Sequence, residues 1–427
     1  MPTPHVLLVE DALAVDLAPL NLTRPTYELV CGGHSLIGLL AGRGIAPDVA
    51  PHAHLTAVAR QRRRAVVEAG DFAEDIVDAP RLLINARLAP EPATLTRLLD
   101  AAAFAKNAVA AWDGETLAAA VIPATDGRSL VEQLRSRAIR WENLADDPCL
   151  GHAERIDLPG GLLRYPFDIL SRHTTMLAAA LAARVEADST LIQRQDGLFV
   201  AEGAEVLPQV AVDSRGGPVV IDRGASVGPF TFFRGPVYVG SESTVNEHAA
   251  LKDGVYVGRR CKVGGEIECA VISDFSNKQH FGFLGNAYIG SWVNLGAGTT
   301  NSDLKNTYGI VSVNVRGRKI ASGLQFLGCM IGDYAKTAIQ TAIYTGKTIG
   351  VASGVYGAAR EDVPSFVNYP GSLAEATAID PEIAITTMTR MYARRGRTPT
   401  AAEEQLMRDL FALTAGERPE MEMGLPR

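Results

Sequence analysis

His280 stands beside Glu266, Glu268, Asn277 and Lys278, and the run Gly296-Ala297-Gly298-Thr299-Thr300-Asn301-Ser302-Asp303 follows further along the chain. A neutral imidazole can take a proton from an attacking amine or hydroxyl near physiological pH. A backbone N–H in a glycine-rich turn can stabilise the oxyanion of an acyl-transfer intermediate. The bland alternative for His280 is a structural histidine capping a loop. A histidine-based zinc centre would need three imidazole ligands, and residues 201–357 contain only His248 and His280.

What must position these residues is a repeat. Ile221, Val227, Phe233, Val239, Val245, Leu251, Val257 and Val263 stand six apart without a break, and four of the eight precede Gly. Neither a helix nor a half-buried strand has that period. It is the mark of a β-helix with one inward residue per six on each triangular face. The glycines are expected at corners, where positive φ is wanted. The period resumes at Phe283, Ile289 and Leu295, then at Ile331, Ile343, Ile349 and Val355. Breaks in such a scaffold project loops and gather sites. If a coil takes about 18 residues, Asn294 and Ala297 lie one coil above His280. A passive spacer or trimerisation stalk is the competing reading of the repeat.

The 427 residues suit two or three domains. Residues 1–145 alternate apolar runs (Val6–Val9, Leu82–Ile84) with helical patterns (Ser35–Leu40, Ala93–Phe104), which predicts an α/β domain on a mainly parallel sheet. Residues 146–200 read as a connector with a helix over Asp168–Val185, residues 201–370 as the β-helix, and residues 371–427 as a tail with helices near 375–395 and 400–415, frayed from Pro419 on. A net charge of −7 and one short basic cluster (Arg60, Arg62, Arg63, Arg64) argue against a nucleic-acid partner. Five scattered cysteines without C-x-x-C spacing fit reduced thiols. With no signal-like segment and no apolar run of the ~18 residues a membrane span needs, a soluble cytoplasmic protein is expected.

The segment Ser276-Asn277-Lys278-Gln279-His280-Phe281-Gly282-Phe283-Leu284-Gly285-Asn286, with Asn294-Leu295-Gly296-Ala297-Gly298-Thr299, closely resembles the acetyltransferase domain of the GlmU-like bifunctional sugar-1-phosphate nucleotidyltransferase/acetyltransferases. The resemblance implies a left-handed parallel β-helix working as a homotrimer. It implies His280 as general base, Glu266 as the group that orients it, and Ala297 N–H as oxyanion donor. Arg234, Lys278, Asn294, Asn301 and Asp303 would meet an amino-sugar phosphate, and acetyl-CoA or another acyl-CoA would be co-substrate. Glu268 stands where the family has a phosphate-binding lysine, Phe283 where it has a sugar-contacting tyrosine, and Asn301–Asn306 replaces its Cys-Asn-Tyr-Asp-Gly loop.

At lower specificity, Thr23-Arg24-Pro25, Tyr165-Pro166-Phe167-Asp168 and Arg394-Arg395-Gly396 resemble a divergent GlmU-like group of sugar nucleotidyltransferases. Arg24 is the guanidinium best suited to a nucleotide triphosphate, and Gly32-Gly33 before a helix could offer backbone N–H groups to a phosphate. Asn85-Ala86-Arg87 stands where the family has its magnesium aspartate. Mg²⁺ needs hard oxygen ligands, which leaves Asp11 and Asp168 to hold it if the domain is active. The expectation is therefore a UDP-N-acetylglucosamine-type sugar-nucleotide enzyme. The alternatives are a nucleotidyltransferase with a regulatory or oligomerising β-helix, and a non-catalytic trimeric scaffold.

Overall fold

A computed structural model describes residues 4–62, 65–66, 81–104, 106–123, 141–144, 146–371, 374–418 and 421–424. Arg63 and Arg64 of the basic cluster, and residues 419–420 and 425–427 of the terminal segment, lie outside the described residues. The chain divides into two compact units. One comprises Met1–Leu17, Thr23–Leu29 and His34–Arg164; the other comprises Ala18–Leu22, Val30–Gly33 and Tyr165–Arg427.

The first unit is built on a seven-stranded sheet ordered Ala65–Val66, Asp48–Ala50, His5–Val9, Arg81–Asn85, Thr116–Ile122, Val109–Asp113, Glu154–Asp157. Strand period two sends Val6 and Leu8 to one face, with Leu36, Leu40, Leu95 and Leu98 of the helices Leu36–Gly42 and Pro92–Phe104. Leu7 goes to the other face, with Leu83, Ala110 and Ala120. Both faces are covered, which is why these strands read as unbroken apolar runs. The sheet is parallel on either side of His5–Val9, but Thr116–Ile122 runs antiparallel to both of its neighbours. The cause is a hairpin turning at Asp113-Gly114, where Gly114 has φ +63.

The second unit is a parallel β-helix. Phe233 opposes Leu251, Leu251 opposes Ile267, and Ile267 opposes Leu284, so inward side chains stack coil upon coil into one core. Two expectations need correction. Phe283 is not the inward residue: it pairs outward with Glu266 while Leu284 is buried, because the corner at Gly282 (φ +120) shifts the phase by one. Nor do the Val-Gly glycines take positive φ. That conformation falls two residues later, on Phe230 and Glu242, whereas a Cβ on Gly228 would stand 2.5 Å from Glu247 N of the next coil. Those glycines let adjacent coils approach.

The coil after Thr300–Asn301 is interrupted by the antiparallel hairpin Ser312–Val315/Arg318–Ala321 and resumes at Met330–Ile331. The helix Pro166–Ala187 lies against the repeat: Leu177 and Leu181 pack on Val220, Thr174 Oγ1 donates to Asp253 O at 3.2 Å, and Arg184 pairs with Asp222 at 3.1 Å. At the far end Thr377–Ile379 adds a strand, so the next helix starts later than its apolar pattern suggests, at Pro381 with Asp380 as N-cap. The helix Pro381–Ala393 is followed by Ala401–Leu413, opened by a Thr400/Glu403 capping box.

Candidate active site

Four successive coils place Lys262, Asn277, Asn294 and Lys336 in register, one above the next on a single parallel sheet. Each precedes a residue that points inward: Val263, Lys278, Leu295 and Thr337. Strand alternation therefore turns the four polar side chains outward as a column. Asn277 Nδ2 donates to Asn294 Oδ1 at 3.3 Å. The column floors a cleft of about 470 Å³ that is also lined by His280, Gln279, Trp292, Met391, Arg394 and Arg395.

His280 leaves the column at the next corner. No described residue hydrogen-bonds its exposed ring. Its backbone is held from below by Lys278. That lysine takes an inward, apolar-type position at 2 % exposure, and its ammonium donates to Gly264 O at 3.0 Å and His280 O at 2.5 Å. Burial pushes the Lys278 ammonium down to about 8, because the core disfavours the charge. The expectation that Lys278 contacts substrate is corrected accordingly: it braces the histidine loop.

One coil on, the turn Gly296–Thr299 is tied to the same loop by Gly298 N donating to Phe281 O at 3.1 Å. Ala297 O accepts from Gln340 N at 2.7 Å, while Ala297 N–H donates to no backbone acceptor among the described residues. The turn that offers this N–H is thus tied to the loop that carries the exposed His280 ring, and a base and an N–H donor are the two groups acyl transfer uses.

Arg394 and Arg395 come from the end of the helix Pro381–Ala393, and Arg395 donates to Asn277 Oδ1 at 3.0 Å. An aromatic stack fixes that end. Phe275 lies 4.4 Å from Trp292, Trp292 lies 4.3 Å from Tyr392, and the Arg397 guanidinium sits 5.3 Å and 5.2 Å over Phe275 and Tyr392. The Tyr392 hydroxyl donates to Glu403 of the following helix at 3.0 Å. Sequence reasoning missed Lys262, Lys336, Arg394 and Arg395 as site residues. The register column could have shown the two lysines; the arginines arrive from a distant segment.

Other expected site residues have protein partners. Glu266 does not meet His280; its carboxylate pairs with Lys252 at 2.6 Å, and Lys252 also holds Glu268 at 2.9 Å. Arg234 is bidentate on Asp253, with Nε at 2.6 Å from Oδ1. Asn301 is 3 % exposed and clamps Gly285, accepting from its N–H at 2.8 Å and donating to its carbonyl at 2.9 Å. Asp303 accepts from Asn286 at 2.8 Å. None of these four lines the cleft.

The nucleotide and metal expectations are likewise revised. Arg24 is half-buried in the first unit, whereas Gly32 and Gly33 belong to the second. Gly32 N–H donates to His173 Nδ1 at 3.1 Å, and a Cβ at Gly32 (φ +60) would fall 2.1 Å from Met176 Cβ. This glycine serves close packing against Pro166–Ala187 and offers no N–H to a phosphate. Burial pushes His173 down to about 4, so it accepts as the neutral ring.

Asp11, 3 % exposed, receives Arg87 Nε at 2.8 Å, Arg87 Nη2 at 2.6 Å and Asn85 Nδ2 at 2.9 Å. Both its oxygens are engaged by a buried cation. Asp168 caps its own helix, accepting from Tyr165 N at 2.9 Å. Among the described residues no group of three or more His, Cys, Asp or Glu could hold a metal ion. Asp11 and Asp168 therefore do not fit Mg²⁺. Nor, among the described residues, is any helix long and apolar enough to cross a membrane.

Residues 6–187 match the family described as sugar nucleotidyl transferase. A bifunctional sugar-1-phosphate nucleotidylyltransferase/acetyltransferase of Sulfurisphaera tokodaii is 33% identical over 142 residues, covering 33% of this chain and 35% of that protein. The bifunctional protein GlmU of Methanococcus vannielii is 28% identical over 113 residues, 26% of each chain. The chain thus spans about a third or less of the curated relatives it matches. Among solved structures, a UDP-N-acetylglucosamine acyltransferase of Francisella novicida is similar at 15% identity and a TM-score of 0.23, over 53% of this chain and 87% of that one. Residues 6–187 thus carry the sugar nucleotidyl transferase pattern, and the curated relatives that parts of the chain resemble are bifunctional nucleotidyltransferase/acetyltransferases.

Proposed function

We propose that the β-helix transfers an acyl group from an acyl-CoA, acetyl-CoA in the simplest case, to the amine of an amino-sugar phosphate. The observation that carries this reading is the exposed His280 ring in one cleft with Asn294, tied through Phe281 and Gly298 to the turn that offers the Ala297 N–H. The acceptor nitrogen attacks the thioester carbonyl while His280 takes the amine proton. The Ala297 N–H stabilises the oxyanion, and collapse of the intermediate expels the thiolate, which recovers the proton from the imidazolium. Asn294 orients the sugar. Residues 1–145 would bind a nucleotide, residues 146–200 connect, and the tail from 371 on closes the cleft. Exposed Ile339, Tyr308 and Phe281 (71%, 69% and 62%) on the repeat suit association into a homotrimer in the cytoplasm. Sugar-nucleotide formation by the first unit is the second activity of this reading, with no step assigned to Mg²⁺ because Asp11 is held by Arg87.

A second reading keeps nucleotidyl transfer and makes the repeat regulatory. It is favoured by Asp253 on Arg234 and Lys252 between Glu266 and Glu268, which take up charges an acceptor would use. A purely scaffolding role draws on the Asp11–Arg87 pair. Mass spectrometry of mixtures with acetyl-CoA and glucosamine-1-phosphate, or with UTP and N-acetylglucosamine-1-phosphate, separates them. N-acylated sugar phosphate supports the first reading, pyrophosphate release alone the second, and neither product the third.

A further inference from the structure

The cleft around His280 carries four cations, Lys262, Lys336, Arg394 and Arg395, and no carboxylate among its lining residues. None of the four makes an ion pair among the described residues; Arg395 is bound only to the neutral amide of Asn277, and Lys336 Nζ donates to Tyr334 O at 2.8 Å. Elsewhere on the same repeat, cations are matched: Lys252 with Glu266, Arg259 with Asp274, Arg260 with Glu242. Unmatched positive charge lining a concave wall is costly unless an anion enters it.

The geometry also sets the anion's kind. Coils are spaced ~4.8 Å apart, so the column from Lys262 through Asn277 and Asn294 to Lys336 runs about 14 Å along the repeat axis. Two guanidiniums hang over it from the Pro381–Ala393 helix end. A planar fork pairs bidentately with phosphate oxygens, and an ammonium meets the same group as a point charge. We infer that this column, with Arg394 and Arg395 above it, binds the phosphate of a phosphate-ester ligand beside His280, so that the C-terminal helical pair is part of the binding site. This deepens the acyl-transfer reading and rests on it for the identity of the ligand. The phosphate belongs either to the acyl-CoA or to the sugar phosphate, two sources with one recognition chemistry.

The test uses the full-length protein and calorimetric titration with CoA, pantetheine (which carries no phosphate), glucosamine-1-phosphate and glucosamine. Wild type should bind at least one phosphorylated ligand more tightly than its counterpart lacking the phosphate. Arg394→Gln combined with Arg395→Gln should erase that preference, a loss of about tenfold or more for a charge-assisted pair, while leaving the counterpart's affinity unchanged. Loss of the CoA preference identifies CoA as the source; loss of the glucosamine-1-phosphate preference identifies the sugar. If the double variant fails to fold, Lys262→Gln replaces an exposed, unpaired side chain and should reduce the same preference. Unchanged preferences in folded variants, or no preference in wild type, overturn the proposal. Acyl transfer with unchanged preferences would leave the enzyme reading standing without this subsite. Phosphate-dependent binding without acyl transfer would do the reverse.

Discussion

Asn277 and Asn294 face each other across neighbouring coils, 17 residues apart in sequence, with Nδ2 to Oδ1 at 3.3 Å. The same offset carries His280 onto Ala297. The proposed base and oxyanion donor, each three residues past its asparagine, are set one coil apart by this register. Lys278 and Gly298 then fix the two turns, one through the His280 carbonyl and one through the Phe281 carbonyl.

Lys278→Met should keep the fold, because a linear apolar chain fills an inward coil position. It should also lower the rate of acyl transfer by loosening the His280 loop. The lysine's folded value, about 8, lies below its ordinary 10.5, so the unfolded chain binds more protons between them and stability rises with pH across that window. One proton is worth roughly 1.4 kcal/mol per pH unit at most. Urea titrations at pH 8 and 10 should show a shallower pH dependence in the variant; Lys336, also pushed down to about 8 by burial, keeps the remainder.

Removing one member of the Asp11–Arg87 pair strands a buried charge. Asp11→Asn should cost about 3–5 kcal/mol of the first unit's stability, as for other broken buried pairs. Asp11→Leu with Arg87→Met should cost much less. Denaturant unfolding of the three proteins tests this, and Mg²⁺ should not raise the wild-type melting temperature, since the carboxylate is already saturated.

Gly32→Ala should lower the melting temperature without altering nucleotide affinity. Its methyl group would overlap Met176 at a positive φ, and overpacking alone costs about 1–3 kcal/mol. Thermal unfolding with and without UTP separates this packing role from a phosphate cradle.

Arg397→Ala removes the cation that lies over Phe275, Trp292 and Tyr392. Each such contact contributes about 0.5–2 kcal/mol, so hydrogen exchange in Pro381–Ala393 should speed up. KM should rise more than kcat falls, because the helix end supplies Arg394 and Arg395 and not the base.

The repeat was legible because one inward residue in six is a local signal, and coil length alone set Ala297 one coil from His280. The phase at Phe283 was not, since a single extra corner residue at Gly282 exchanges inside for outside. Asp11 looked like a free carboxylate because its neutralising partner, Arg87, lies 76 residues away in the turn after the strand Arg81–Asn85. Glu266 and Arg234 were misread for the same reason: Lys252 and Asp253 sit one coil away. Resemblance marks where a family keeps its charges, and only register tells which are already matched. The two arginines of the cleft depend on a helix whose docking rests on stacked rings remote from it in sequence.

The central claim is that His280 is the base for acyl transfer. Free-thiol release from acetyl-CoA, measured with glucosamine-1-phosphate present and absent, tests it in wild type and in His280→Asn. The expected result is acceptor-dependent release by wild type and a loss of about 10²–10⁴-fold in the variant at unchanged melting temperature, the range for a lost general base. Equal release by a folded His280→Asn protein would contradict the account.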